Sequence, residues 1–188
     1  MKNSILILTV IAATLLSTFN GCKDDEPAPV NEEEVITTFR ATFTPQGGGA
    51  IAVFQFRDLD GDGGNPPVIT NDTLVASNVY DVSLELFNET VSPVDTITNE
   101  VHDEATVHQF FFQPQGGLNL TFAYGDTDSD GHPVGLLSEA TTAAASSGTL
   151  TITLRHEPDK HAAGVENGDI TNAGGETDIE VTFNVVIQ

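Results

Sequence analysis

Asp58, Asp60 and Asp62, followed by Gly63, are matched further along the chain by Asp126, Asp128 and Asp130, followed by Gly131. Carboxylates at alternate positions of a tight loop converge on one point, and a glycine permits the sharp reversal behind them. Strings of this kind open many calcium loops, because calcium takes six to eight oxygen ligands. An EF-hand also needs a bidentate glutamate at its twelfth position. Ile69 and Leu137 stand there, so the EF-hand is excluded. Two readings remain. One is a calcium site completed by backbone carbonyls or a more distant carboxylate, which would also relieve the mutual repulsion of three acids. The other is a solvated Asp-Gly turn at a strand end. A metal site here would be structural or adhesive rather than catalytic.

The five histidines are His102, His108, His132, His156 and His161. Imidazoles among carboxylates suit zinc or copper, although neither H-x-H nor H-E-x-x-H spacing occurs. His156 and His161, which bracket Glu157-Pro158-Asp159-Lys160, are the first candidates for a transition-metal site; exposed or edge-strand histidines are the alternative. Signatures of catalysis are scarce. The chain has no G-x-S-x-G and no phosphate-cradling glycine loop leading into a helix. Its single cysteine, Cys22, is explained better by position than by redox chemistry. Acidic pairs abound through composition alone, so none stands out as an acid–base pair. The expectation is a protein that is not an enzyme.

Both acidic strings belong to a longer repetition. Residues 43–48 (FTPQGG) lie over residues 112–117 (FQPQGG), and residues 82–89 (VSLELFNE) over residues 150–157 (LTITLRHE). The correspondence covers most of residues 35–157 and reads as an internal duplication. Within it, Val35, Thr37, Phe39, Ala41 and Phe43 alternate along one face, as do His108, Phe110 and Phe112. Near the end, Ile179, Val181, Phe183, Val185 and Ile187 alternate with Asp178, Glu180, Thr182 and Asn184. Period-two alternation marks strands with one buried and one wet face, as in antiparallel sheets. The predicted fold is therefore all-β: an antiparallel, immunoglobulin-like β-sandwich built from the duplication, with a closed β-barrel as the alternative. One domain spans residues 35–188, in two similar halves of about 35–103 and 104–188. Residues 92–108 have room for a short helix. Residues 158–176 form a long polar loop, a feature that in a compact domain points to function or mobility.

What precedes residue 35 has a different character. Residues 4–17 (SILILTVIAATLLS) follow Lys2 and form an apolar run of secretory-signal length, too short for a stable membrane span. Gly21-Cys22 then resembles the cleavage box of bacterial lipoproteins, although Phe19 and Asn20 replace the more usual leucine and small residue. The resemblance implies a signal peptide over residues 1–21, with Cys22 as the lipidated first residue of the mature chain. Lys23-Asp24-Asp25-Glu26 resembles the export signal of Bacteroidota-type surface lipoproteins. Pro27, Pro29 and Glu32-Glu33-Glu34 extend it into an acidic tether over residues 22–34. By that resemblance the domain is held at the outer membrane by its lipid anchor and exposed on the cell surface; the periplasmic face is the alternative. Lipoproteins of this kind accompany TonB-dependent transporters, which implies a binding or accessory module. A calcium-stabilised adhesion or envelope-structural module is the rival. Some small lipoproteins of this appearance are grouped as a "type 1 periplasmic binding fold superfamily", a larger α/β fold from which the strand-rich pattern departs. The net charge of −22, from 6 basic and 28 acidic residues, makes nucleic acid a poor partner. It suits divalent cations, basic partners or plain solubility.

Overall fold

The computed structural model describes residues 35–61 and 64–188. The leader, Cys22, the tether through residue 34, and Asp62 with Gly63 lie outside the described residues. Alternating apolar and polar side chains make strands. β1 (Thr38–Pro45) buries Phe39, Ala41 and Phe43, and β2 (Ala52–Arg57) buries Ala52 and Phe54. After the short β3 (Val68–Thr70) and β4 (Thr73–Leu74), β5 (Val79–Phe87) buries Tyr80, Val82, Leu84 and Leu86. β6 (His108–Gln115), β7 (Leu120–Tyr124), β8 (Leu137–Thr142), β9 (Ser146–His156) and β10 (Glu176–Ile187) follow.

These strands form a six-stranded sheet, ordered β3-β2-β1-β5-β8-β7, and a four-stranded sheet, ordered β4-β10-β9-β6. Every pairing is antiparallel except that of β4 with β10. The sheets remain separate, so the fold is an all-β sandwich and the closed barrel is not formed. Phe183 locks the two layers. It rises from β10 and meets Phe54 edge-on at 5.7 Å and Phe39 at 6.2 Å, both from the opposite sheet.

The repetition survives as strand pairing, with a change. β1 pairs with β5 in one sheet, and their counterparts β6 and β9 pair in the other. The hairpin partners differ: β2 stays beside β1, whereas β7 joins β8 in the opposite sheet from β6. Register also slides. Phe39 lies opposite Leu86, and strict repetition would set His108 opposite Leu154; His108 instead lies opposite His156. The slide leaves every side chain on its original face, because a strand's period is two.

Residues 92–108 contain α1 (Ile97–Asp103) and a 3-10 turn at Ala105–Val107. Ile97 and Val101, one helical turn apart, bury against the core, and Thr98 Oγ1 accepts from the Leu86 amide at 2.7 Å. The loop over residues 158–176 makes two 3-10 turns, Val165–Asn167 and Ile170–Asn172. It covers the outer side of β6, where Phe111 forms a small second core with Val165 and Ala173. Gln109 Nε2 donates to the Val165 carbonyl at 2.9 Å, fastening the loop to the strand.

Two arginines tie the six-stranded sheet together. Arg40 reaches Glu85 at 3.4 Å, and Arg57 grips Glu89 at 2.7 Å. Glu89 also accepts from the Thr38 hydroxyl at 2.6 Å. The Arg57 hydrogen bond, helped by Thr38, holds the Glu89 carboxyl down at about 2.

Phe183→Ala is expected to lower unfolding free energy by about 3–5 kcal/mol, as for other large aromatics removed from cores. Urea denaturation should show this as a lower midpoint with unchanged slope; an unmoved midpoint would contradict the packing. Glu89 binds its proton more weakly folded than unfolded. Its stabilising contribution is complete above the ordinary value of 4.5 and disappears as pH falls towards about 2. Acid titration of Glu89→Gln should therefore show a shallower loss of stability across that window than the parent.

Candidate functional site

The two acidic strings follow β2 and β7, and the structure uses them differently. In the first, Asp58 Oδ1 accepts from the amides of Asp60, at 3.3 Å, and Gly61, at 3.0 Å. Asp60 Oδ2 accepts from the backbone and side-chain nitrogens of Asn65 at 2.9 and 2.8 Å. The Asn65 amides hold the Asp60 carboxyl below the usual carboxylate range. These are Asx-type turns, in which aspartate oxygens replace backbone acceptors. Asp62 lies outside the described residues.

The second string is fastened to its surroundings. Asp126 accepts from the Gly135 amide at 2.7 Å and the Leu137 amide at 3.0 Å. Asp128 Oδ1 takes the amides of Asp130 and His132, at 3.0 and 2.9 Å. Its Oδ2 takes the Lys160 ammonium at 2.8 Å. Lys160 is 5% exposed and also donates to the carbonyls of Ala105, at 2.7 Å, and Pro133, at 3.0 Å. An ammonium with three oxygen acceptors thus stands against the loop, and any calcium ion bound by Asp128 Oδ2 would have to displace it. Burial pushes the Asp128 carboxyl up; Lys160 and the His132 and Asp130 amides outweigh it and hold the group below its ordinary value.

His156 and His161 have separate partners. The His161 ring packs edge-on against His132 at 4.5 Å, and the His156 ring edge-on against His108 at 4.7 Å. The partner that the sequence spacing missed for His156 is His108, directly across the β6–β9 ladder. Strict repetition of the first half would have put a leucine there; the slid register supplies the imidazole.

Asp178 completes this cluster by a second departure from regularity. Plain alternation along β10 assigns it to the wet face. The β9–β10 register shifts between Thr177 and Ile179, so that Thr177 opposes Arg155 and Ile179 opposes Leu154. Asp178 is the extra residue of this bulge, and its side chain turns inward, with 7% of it exposed. Just before it, Gly175 sits at φ +68°, where an added Cβ would strike the carbonyl oxygens of His156 and Glu157. That glycine lets the start of β10 come close to the end of β9.

His108 Nε2 lies 3.0 Å from His156 Nδ1 and 3.6 Å from Asp178 Oδ2. One ligand atom from each residue falls within 4.8 Å of the other two, and among the described residues no other trio of His, Cys, Asp or Glu is gathered in this way. His108 is buried completely. Its Nδ1 faces the Glu104 carbonyl at 3.1 Å. A carbonyl can only accept, so Nδ1 carries the proton and Nε2 presents a lone pair to the cluster. Burial drives the His108 pKa down and so favours this neutral ring; the hydrogen bond to the Glu104 carbonyl opposes the shift only in part.

Two clefts flank these groups. One, of about 510 Å³, has Leu84, Val134 and Leu136 among its walls and Thr98, Asn99 and His102 as polar groups from α1. The other, of about 490 Å³, is lined by Thr37, Phe56, Asp58, Asp60 and Asp178. Comparison with known proteins finds no protein family, no curated protein and no solved structure that matches the chain.

Removing Lys160 would strand the buried Asp128 carboxylate. Lys160→Met is expected to cost about 3–5 kcal/mol, the usual penalty for breaking a buried pair from one side. Adding Asp128→Asn should recover part of the loss. Chemical denaturation of both variants measures the two terms; a Lys160→Met protein as stable as the parent would show that the pair is not closed in solution.

Proposed function

We propose that this chain is a lipid-anchored cell-surface lipoprotein whose β-sandwich serves as a non-enzymatic binding module, an accessory to a TonB-dependent transporter. The address is carried by Gly21-Cys22 and Lys23-Asp24-Asp25-Glu26 after an apolar leader. The observation that carries the binding role is the cleft beside α1. It combines an apolar floor of Leu84, Val134 and Leu136 with donors and acceptors on Thr98, Asn99 and Thr127, the make-up of a small-ligand seat. The acidic exterior favours ligands that are neutral or cationic.

The rival reading, a calcium-stabilised adhesion module, draws its support from Asp58 and Asp60, which share the wall of an open cleft with Asp178. A melting temperature that rises with calcium and falls with chelator, and loses that response in Asp58→Asn, would favour it.

Metabolic labelling with a palmitate analogue should mark the parent and leave Cys22→Ala unlabelled. Protease added to intact cells should then remove the domain, and a TonB-dependent transporter should co-purify with the labelled chain. An unlabelled parent, or a domain protected from protease in intact cells, would overturn the location.

A further inference from the structure

We propose that His108, His156 and Asp178 form a binding site for one divalent transition-metal ion, zinc foremost, at the end of the four-stranded sheet. Two imidazole nitrogens and one carboxylate oxygen are a borderline donor set that zinc accepts readily, with water in the fourth position.

The spacing fits. In a tetrahedral zinc site with bonds of about 2.0–2.1 Å, neighbouring ligand atoms stand about 3.3 Å apart. The observed separations of 3.0 and 3.6 Å fall on either side of that value. Because the longest separation is at most 4.8 Å, one point lies within about 2.8 Å of all three atoms, under an ångström beyond a zinc bond. Small side-chain adjustments close the difference.

The chemistry agrees with the spacing. With its Nδ1 proton directed at Glu104, His108 has the orientation typical of a metal-ligating imidazole: one nitrogen fixed by a carbonyl, the other turned to the cluster, where it accepts from His156 Nδ1 at 3.0 Å. The same nitrogen lies 3.6 Å from an Asp178 carboxylate oxygen, so three donor groups are already gathered at one place inside the protein. A divalent cation would take the place of the His156 Nδ1 proton, which moves to Nε2 of the same ring, and coordination would replace the hydrogen bond between the two histidines. Three separate irregularities create the arrangement: the slid β6–β9 register, the β10 bulge and the close approach at Gly175.

There is also a way in. Asp178 lines the cleft whose wall includes Asp58 and Asp60, so an approaching cation meets an acidic entrance before the ligands. On this reading Asp58 and Asp60 gather cations for a site that the histidines hold. Bound metal would fasten β6, β9 and β10 together at one end of the sandwich.

The test is Zn(II) titration into the full chain, purified in detergent and stripped with chelator, followed by calorimetry and by competition with a chromophoric chelator. One equivalent should bind at submicromolar Kd. His156→Ala and Asp178→Asn should each weaken binding by roughly tenfold or more, and Asp130→Asn should not. Asp178→Asn keeps the size and shape of the side chain, and circular dichroism confirms that each variant is folded. Co(II) in place of Zn(II) should give the visible bands of a tetrahedral site, lost in the same two variants. A parent that binds no zinc saturably, or His156→Ala and Asp178→Asn proteins that bind it as the parent does, would overturn the proposal. Neither result depends on where the chain is anchored or on what the cleft beside α1 holds.

Discussion

A full positive charge inside an acidic protein is the constraint around which one end of the sandwich is built. Lys160 can stay buried only while three oxygens surround it, and these come from two segments: the turn at Ala105, and the β7–β8 connection, which supplies both Asp128 and Pro133. The price of desolvating an ammonium is too high for any one of them to be missing. The long loop after β9 is therefore held at its start by electrostatics and along its length by packing, through Val165 and Ala173 over Phe111. What reads as a polar excursion is a cover for the second face of β6. That cover explains why His108, Gln109, Phe110 and Phe111 are buried in succession, where a two-faced strand would bury every other residue.

The two acidic strings show how far identical residues can be put to different uses. Their aspartates occupy equivalent places after the second strand of each half. Asp58 and Asp60 form turns with nearby amides, at most five residues along the chain. Asp126 and Asp128 reach further, to Gly135, Leu137 and Lys160. The difference lies in the partners. The second half delivers β7 to the opposite sheet and has a lysine-bearing loop behind it, whereas β2 remains beside β1.

Much of the fold was legible because burial of one face imposes a period that a single sequence displays. Val82, Leu84 and Leu86, or Val181, Phe183 and Val185, announce both the strand and the side that enters the core. The site was not legible in the same way. His108 and His156 are separated by 48 positions and meet through ladder register, which hydrophobic alternation fixes only to within steps of two. By period alone Asp178 belongs to the wet face, because alternation carries no sign of a bulge; Gly174-Gly175, a few residues ahead, is the hint that the sequence offers. The burial of Lys160 leaves no mark in the sequence, because its acceptors are neighbours in space and not along the chain. His161, chosen for its closeness to His156 along the chain, packs against His132.

The described cations have a collective effect as well. Arg40 and Arg57 bind Glu85 and Glu89, Arg155 turns back to Thr177 at 2.8 Å, and Lys160 is interior. With its positive groups occupied by its own fold, the domain shows neighbours a field of nearly one sign. Two copies approaching within a Debye length, about 8 Å at physiological ionic strength, would repel. An aversion to self-association follows from that, strengthening as the medium is diluted and fading in concentrated salt.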